Sequence, residues 1–251
     1  MKNIDILKEQ LKQHKSSFNE LSTKLVEVDP KGSFILWSSY FEGLGTRSSD
    51  IDIYHVIEGK KERRSAETVK INNMILDIEK IEIENLLETI ERLGKFSLTN
   101  ELDPFISMAK LKILYRLKKS VVINRSKTVE EAIKSIDLEL LKRAITHTCY
   151  LEYYSEYQDA VNFFKDNRYK EAYYLATSAL YKALGVYCGE HGKPQTKQKW
   201  YYKVFEDLVG NDHKLVNKYW ASQSIENLNQ ISQKVEEILQ LSQVIILRKV
   251  D

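Results

Sequence analysis

Apolar side chains at Ile4, Ile6, Leu7, Leu11, Phe18, Leu21 and Leu25 approximate a helical face, and they stop at the turn Asp29-Pro30-Lys31-Gly32. This pattern predicts one amphipathic helix over 4–26. Beyond the turn, 33–37 is short and continuously apolar, 38–49 is rich in glycine and serine, and 50–57 alternates acid with aliphatic before turning apolar. The expected order is therefore strand, connector, strand. The segment 58–67 contains KKERR with few apolar anchors and reads as a solvated connection. After it, 68–71 and 74–81 bracket Asn72-Asn73, a pair suited to a tight turn, which predicts an antiparallel hairpin. Helices are expected over 83–93 and 104–116, then a short strand over 120–124. A further helix should start at Thr128, capped together with Glu131.

From residue 130 onward the helical period dominates. Tyr150, Tyr153, Tyr154 and Tyr157 form one stripe, read as a bundle core or groove wall. Asp166-Asn167-Arg168 marks a turn, and Ala172, Ala176, Ala179 and Ala183 form a small-residue stripe suited to close helix packing. Gly189 and Gly192 should end that helix, and 224–248 should form the last one. The predicted class is α+β: a small mixed sheet with helices over 1–129, followed by an all-α bundle over 130–251.

Composition narrows the functional classes. Charged residues make up 29% of the 251, but they cancel to a formal +2, so no global field points to nucleic acid or to an anionic membrane. The longest purely aliphatic run, 244–247, is far short of the roughly 20 residues that a spanning helix needs. Cys149 and Cys188 match no metal-ligand spacing and make no disulfide framework. A cytoplasmic protein without nucleic-acid or membrane partners is the expectation.

Chemistry is concentrated in FILWSSYFEGLGTRSSDIDIYHVI. On a strand, alternation sends Asp50 and Asp52 to one face and Ile51 and Ile53 into a core. Two carboxylates so placed suit a hard cation shared with substrate phosphates, the arrangement of metal-assisted phosphoryl or nucleotidyl transfer. Upstream, Ser38 and Ser39 open a turn whose amides and hydroxyls can cradle phosphates.

With these parts in this order, the segment resembles the polymerase β-like nucleotidyltransferase superfamily, whose signature is an apolar strand, Gly-Ser, a connector and Asp-x-Asp. Ser39 matches the family serine. Gly43, Gly45, Thr46, Arg47 and Ser49 match the connector, and Asp50 and Asp52 match the metal ligands. Ser38 stands where the family usually has glycine. The resemblance implies a third carboxylate on a later strand. Asp77 in MILDIEKI fits it, with Glu79 in reserve. It also implies two Mg²⁺ ions, a nucleoside triphosphate bound through Ser38, Ser39, Arg47 and Ser49, and release of pyrophosphate.

The helical second half resembles, more loosely, the bundle of kanamycin-type aminoglycoside nucleotidyltransferases. That likeness implies a carboxylate base for the acceptor hydroxyl, assigned to Glu156 with Glu152 and Asp159 one turn to either side. It also implies a homodimer, and an acceptor such as an antibiotic or a biosynthetic intermediate. Lys199 and Trp200 are read as a cation and a ring near the nucleotide or as a structural pair. Arg143 and His147 lie closer together than the Arg-His pair of HEPN-class ribonuclease bundles, and no nuclease reading is drawn from them. The expected function is transfer of AMP from ATP to a small molecule. Two alternatives stand beside it: a protein-modifying, antitoxin-like transferase, and a nucleotide-binding protein whose site has decayed.

Overall fold

The first apolar stripe forms two helices in the computed structural model, which describes residues 2–46, 49–58, 67–72, 74–98, 105–124, 126–211, 213–224 and 228–247. The helices are α1 (Asn3–Gln13) and α2 (Phe18–Val28). The single helix expected over 4–26 is interrupted because Lys15 takes a left-handed conformation, φ 57°, and Ser17 opens a new helix. Ser17 accepts from the Glu20 amide while the Glu20 side chain accepts from the Ser17 amide, a reciprocal capping box.

Strands β1 (Ser33–Trp37), β2 (Asp52–Ile57), β3 (Glu67–Ile71), β4 (Met74–Glu82) and β5 (Val121–Ile123) form one sheet in the order β3-β4-β2-β1-β5. β2 and β4 are parallel, and the other pairings are antiparallel. The expected hairpin is β3 and β4, with Asn72 at φ 50° in the turn. The basic stretch KKERR lies outside the described residues.

One sheet face is apolar. Phe34 and Leu36 of β1, Ile53 of β2, and Leu76 and Ile78 of β4 pack with Leu7, Leu11, Leu21 and Leu25 from α1 and α2. His55 shares that side, stacked on Phe34 at 4.4 Å, and its Nε2 meets Asp29 Oδ2 at 3.0 Å. Helices α3 (Ile83–Gly94), α4 (Met108–Lys118) and α5 (Lys127–Ser135) complete the neighbourhood in sequence. Ser126, not the expected Thr128, caps α5 by accepting from the Val129 amide.

The chain divides into two compact units, 1–95 with 112–138, and 96–111 with 139–251. The division falls at Leu138, so the junction anticipated at 129/130 lies within α5 of the first unit, and 96–111 goes to the second. The second unit is helical: the start of α4, then α6 (Leu138–Lys165), α7 (Tyr169–Glu190), α8 (Tyr201–Val209), α9 (Lys214–Ser222) and α10 (Ile231–Ile246). The helix expected over 224–248 begins at Ile231, after a short 3₁₀ turn at Leu228–Gln230. All four alanines of the α7 stripe are fully buried. Two ties fasten α6 to its neighbours. Lys182 of α7 pairs with Glu152 and Glu156, and Gln243 of α10 donates to the Tyr157 hydroxyl at 2.5 Å. None of the described helices is long and apolar enough to cross a membrane.

Two outcomes follow from this packing. Replacing Ala179, which is fully buried, with leucine adds methylenes to a packed helix interface, so equilibrium unfolding in urea should show a loss of about 1–3 kcal/mol. The Asp29 pair should make stability depend on acid. Partial burial opposes ionisation of Asp29, but the Lys31 and Gly32 amides and His55 together hold its carboxyl below the usual carboxylate value. A carboxyl lowered in the folded state stabilises above its unfolded pKa and ceases to do so as pH falls through the folded one. The stability gap between wild type and Asp29→Asn should therefore be open at neutral pH and close below about pH 4.

Candidate functional site

The polar face of the sheet follows from strand register. Ile53 pairs with Ile78 in the parallel β2/β4 ladder, and the residues just before them are Asp52 and Asp77. Alternation sends both acids to the side opposite the apolar core, and Tyr54 and Glu79, paired in the next position, lie on that side as well. Trp37 pairs with Asp52 and Ile35 with Tyr54 across the antiparallel β1/β2 ladder. Asp52 is partly buried, and Asp77 and Glu79 are exposed.

Asp50 is placed differently from its expected position. The strand starts at Asp52, so Asp50 lies in the connector and is exposed. Strand alternation therefore does not govern its direction, although Ile51 and Ile53 are buried in the core as anticipated. Among the described residues no group of three or more His, Cys, Asp or Glu converges in a way that could hold a metal ion.

Beside the acids, the serine turn is tightly held. Ser38 is fully buried: its hydroxyl caps the 3₁₀ turn Ser39–Glu42 by accepting from the Tyr40 amide at 3.4 Å, and it donates to the Asp50 carbonyl at 3.3 Å. The side chain that replaces glycine is thus turned inward, where it ties the turn to the connector. Ser39 donates to the Ser49 hydroxyl at 3.1 Å, and that hydroxyl also accepts from the Thr46 amide at 2.8 Å. The buried Gln10 of α1 reaches the Ser49 carbonyl at 3.0 Å. Tyr40 lies over the connector and donates to the Thr46 carbonyl. A Cβ on Gly45 would stand 2.4 Å from its ring, so a side chain there would displace it. Arg47, expected to contact phosphate, lies outside the described residues.

The residue that sequence reasoning missed is Arg116. It enters from α4 with its side chain 3% exposed and donates from Nη1 to Asp52 Oδ1 at 2.9 Å. The same nitrogen donates to the Tyr54 hydroxyl, and the guanidinium carbon lies 4.4 Å from the Trp37 ring centre. Its Nε and Nη2 are buried and have no hydrogen-bond partner among the described residues. A buried guanidinium demands an anion and an aromatic face, and both are supplied here. Burial pushes the Tyr54 phenol up to about 12 against the opposing pull of Arg116, so at neutral pH it is a neutral hydroxyl. No sequence signal marked Arg116, because it reads as one of several bases at the end of an apolar helix.

In the second unit Glu156 is committed to Lys182, with Oε1 2.8 Å from Nζ, and its Oε2 is buried without a partner among the described residues. Burial alone would draw the Lys182 ammonium down, but the two glutamates hold it above the ordinary lysine value. Asp159 is exposed on the same helix. Tyr153 of the tyrosine stripe is buried, while Tyr150 and Tyr154 are exposed. Lys199 stands over the Trp200 ring at 4.9 Å, which is the structural alternative for that pair. Both cysteines are free and buried, and burial pushes each thiol up to about 12, which removes them as nucleophiles.

Comparison with known proteins bears on the fold. No family model and no curated protein matches the sequence. Among solved structures, a nucleotidyltransferase-like protein from Exiguobacterium sibiricum 255-15 is similar over 92% of this chain and 75% of its own. The TM-score is 0.54 and the sequence identity 13%. At that identity the likeness is one of fold, and it agrees with a mixed sheet followed by a helical region. The chain has the fold of a nucleotidyltransferase-like protein.

Proposed function

We propose that the protein is a metal-dependent nucleotidyltransferase that moves a nucleoside monophosphate, AMP from ATP as the expected case, to a hydroxyl of a small molecule and releases pyrophosphate. The observation that carries this reading is the parallel register that sets Asp52 and Asp77 side by side on one sheet face, in a fold like that of a nucleotidyltransferase-like protein. Mg²⁺ is commonly held by one or two carboxylates plus substrate phosphates and water, so a neighbouring pair is a suitable donor set without a closed cage. Asp52 and Asp77 would hold it, with Asp50 joining from the connector. Metal ions held there would supply positive charge to stabilise the oxygens that attack and depart during the transfer.

The remaining work falls to the chain's own groups. Ser38 fixes the turn from within. The Ser39 hydroxyl, which donates to Ser49 Oγ, would turn with it to donate to a triphosphate, and Arg47 would add a cation. Arg116 orients Asp52 by holding one of its oxygens. Glu156 is proposed, on the resemblance alone, as the base for the acceptor hydroxyl, a role for which its pairing with Lys182 would have to open. The finer, kanamycin-type form of this proposal, with an antibiotic or biosynthetic intermediate as acceptor and a homodimer as the working assembly, rests on the sequence resemblance alone. One observation favours a second reading, nucleotide binding without transfer: Asp52 already faces a cation, Arg116.

Two measurements test this. Protein incubated with each nucleoside triphosphate, Mg²⁺ and a panel of hydroxyl compounds should release pyrophosphate. Asp77→Asn and Asp50→Asn, both at exposed positions, should lower the rate by at least about a hundredfold, roughly 2.7 kcal/mol, with unchanged thermal melting. If the double variant Asp50→Ala/Asp52→Ala matches wild type and neither binds triphosphate, the transferase reading fails. Binding without pyrophosphate release would select the second reading. Asp52 itself should behave differently from the other two acids, because removing it strands a buried cation. Chemical denaturation should show Asp52→Ala losing about 2–4 kcal/mol, much of it restored in Asp52→Ala/Arg116→Met.

A further inference from the structure

A cleft in the second unit is used by nothing above. Its volume is about 380 Å³, within the roughly 300–1,000 Å³ typical of small-molecule sites. It runs along the N-terminal half of α6 and the C-terminal end of α7. Arg143, His147 and Tyr150, spaced four and three residues apart, place a guanidinium, an imidazole and a phenol on one stripe of α6 along its wall. Leu98 and Val186 supply apolar surface. Gly189 closes one end: a Cβ there would lie 2.1 Å from Thr146 Oγ1, so α6 and α7 can approach this closely only without a side chain.

The charges around the cleft are unequally committed. Lys142 is taken up by Glu139 at 2.8 Å, and Glu190 is exposed at the rim. Arg143 is exposed to solvent and enters no ion pair or hydrogen bond among the described residues. His147 packs edge-on against Phe96 at 5.8 Å, and its Nε2 is buried without a partner among the described residues. Burial pushes its imidazole down, so near neutral pH the ring offers hydrogen bonding while Arg143 offers charge. An uncommitted guanidinium beside a neutral imidazole and a phenol, backed by apolar walls, matches one ligand chemistry: an anionic oxygen group on a compact apolar body.

We propose that this cleft is a binding site for a small molecule carrying a phosphate or carboxylate on an aromatic or aliphatic body, held by Arg143, His147 and Tyr150. The proposal does not depend on the transferase reading, because the cleft belongs wholly to the second unit.

Calorimetric titration of the full-length protein tests it, with phenyl phosphate and benzoate as anionic probes and benzyl alcohol as the neutral analogue. Saturable binding of at least one anion is expected, with benzyl alcohol silent, and the stronger of the two anions reports which oxygen group is preferred. Arg143→Ala should weaken binding by about tenfold or more, and His147→Gln by a smaller factor, with circular dichroism unchanged in both. Asp77→Asn, in the other unit, should leave the affinity as it was. The proposal is overturned if neither anion binds below about 10 mM, weaker than roughly −2.7 kcal/mol, or if benzyl alcohol binds equally well. It is also overturned if Arg143→Ala binds the anion as tightly as wild type, since the anion would then sit elsewhere.

Discussion

The parallel pairing of β2 with β4 is the constraint on which the rest of the first unit depends. Strands joined in parallel cannot be connected by a tight turn, so the chain between them must leave and return, and β3 is part of that return. Once Ile53 is opposite Ile78, every side chain on both strands has its face assigned. The aliphatic set packs on α1 and α2, and the acids are delivered to the other side. A slip of one residue would bury Asp52 among leucines, so the drive to bury the aliphatics also fixes the polar face.

Arg116 is the second consequence of that arrangement. A carboxylate at the margin of a packed sheet and a guanidinium on a covering helix each cost free energy to desolvate, and each is tolerable because the other is there. The Trp37 face and the Tyr54 hydroxyl complete the surroundings of the cation. Polar chemistry at the sheet is thereby tied to the docking of α4.

Much of this was legible in the residues. A short apolar run marked β1 and the Asn72-Asn73 turn marked β3 and β4 closely, and the alanine stripe of α7 is buried as its spacing required. What escaped was decided by single local events or by distant partners. One left-handed residue, Lys15, divides the first helix, and the capping signal that follows it, Ser17 to Glu20, was overshadowed by a continuous apolar stripe. Asp50 lies outside β2 because the Ser38 hydroxyl and Gln10 hold the connector in a non-strand course up to that point. Arg116 finds Asp52 64 residues away, and no periodicity encodes such a pairing. The cleft gathers Leu98, the 143–150 stripe and the end of α7, three stretches that only the folded helices assemble.

The division of the chain between its units carries a different kind of consequence. The polypeptide passes from one unit to the other three times, after residues 95, 111 and 138, and the second passage occurs in the middle of α4. No single cut can therefore release either unit whole. A fragment ending near 138 would carry 96–111 without the rest of its own unit, and a fragment starting at 139 would lack that stretch. The two units are interlaced in sequence, so a fragment meant to hold one of them must be spliced from two separate stretches.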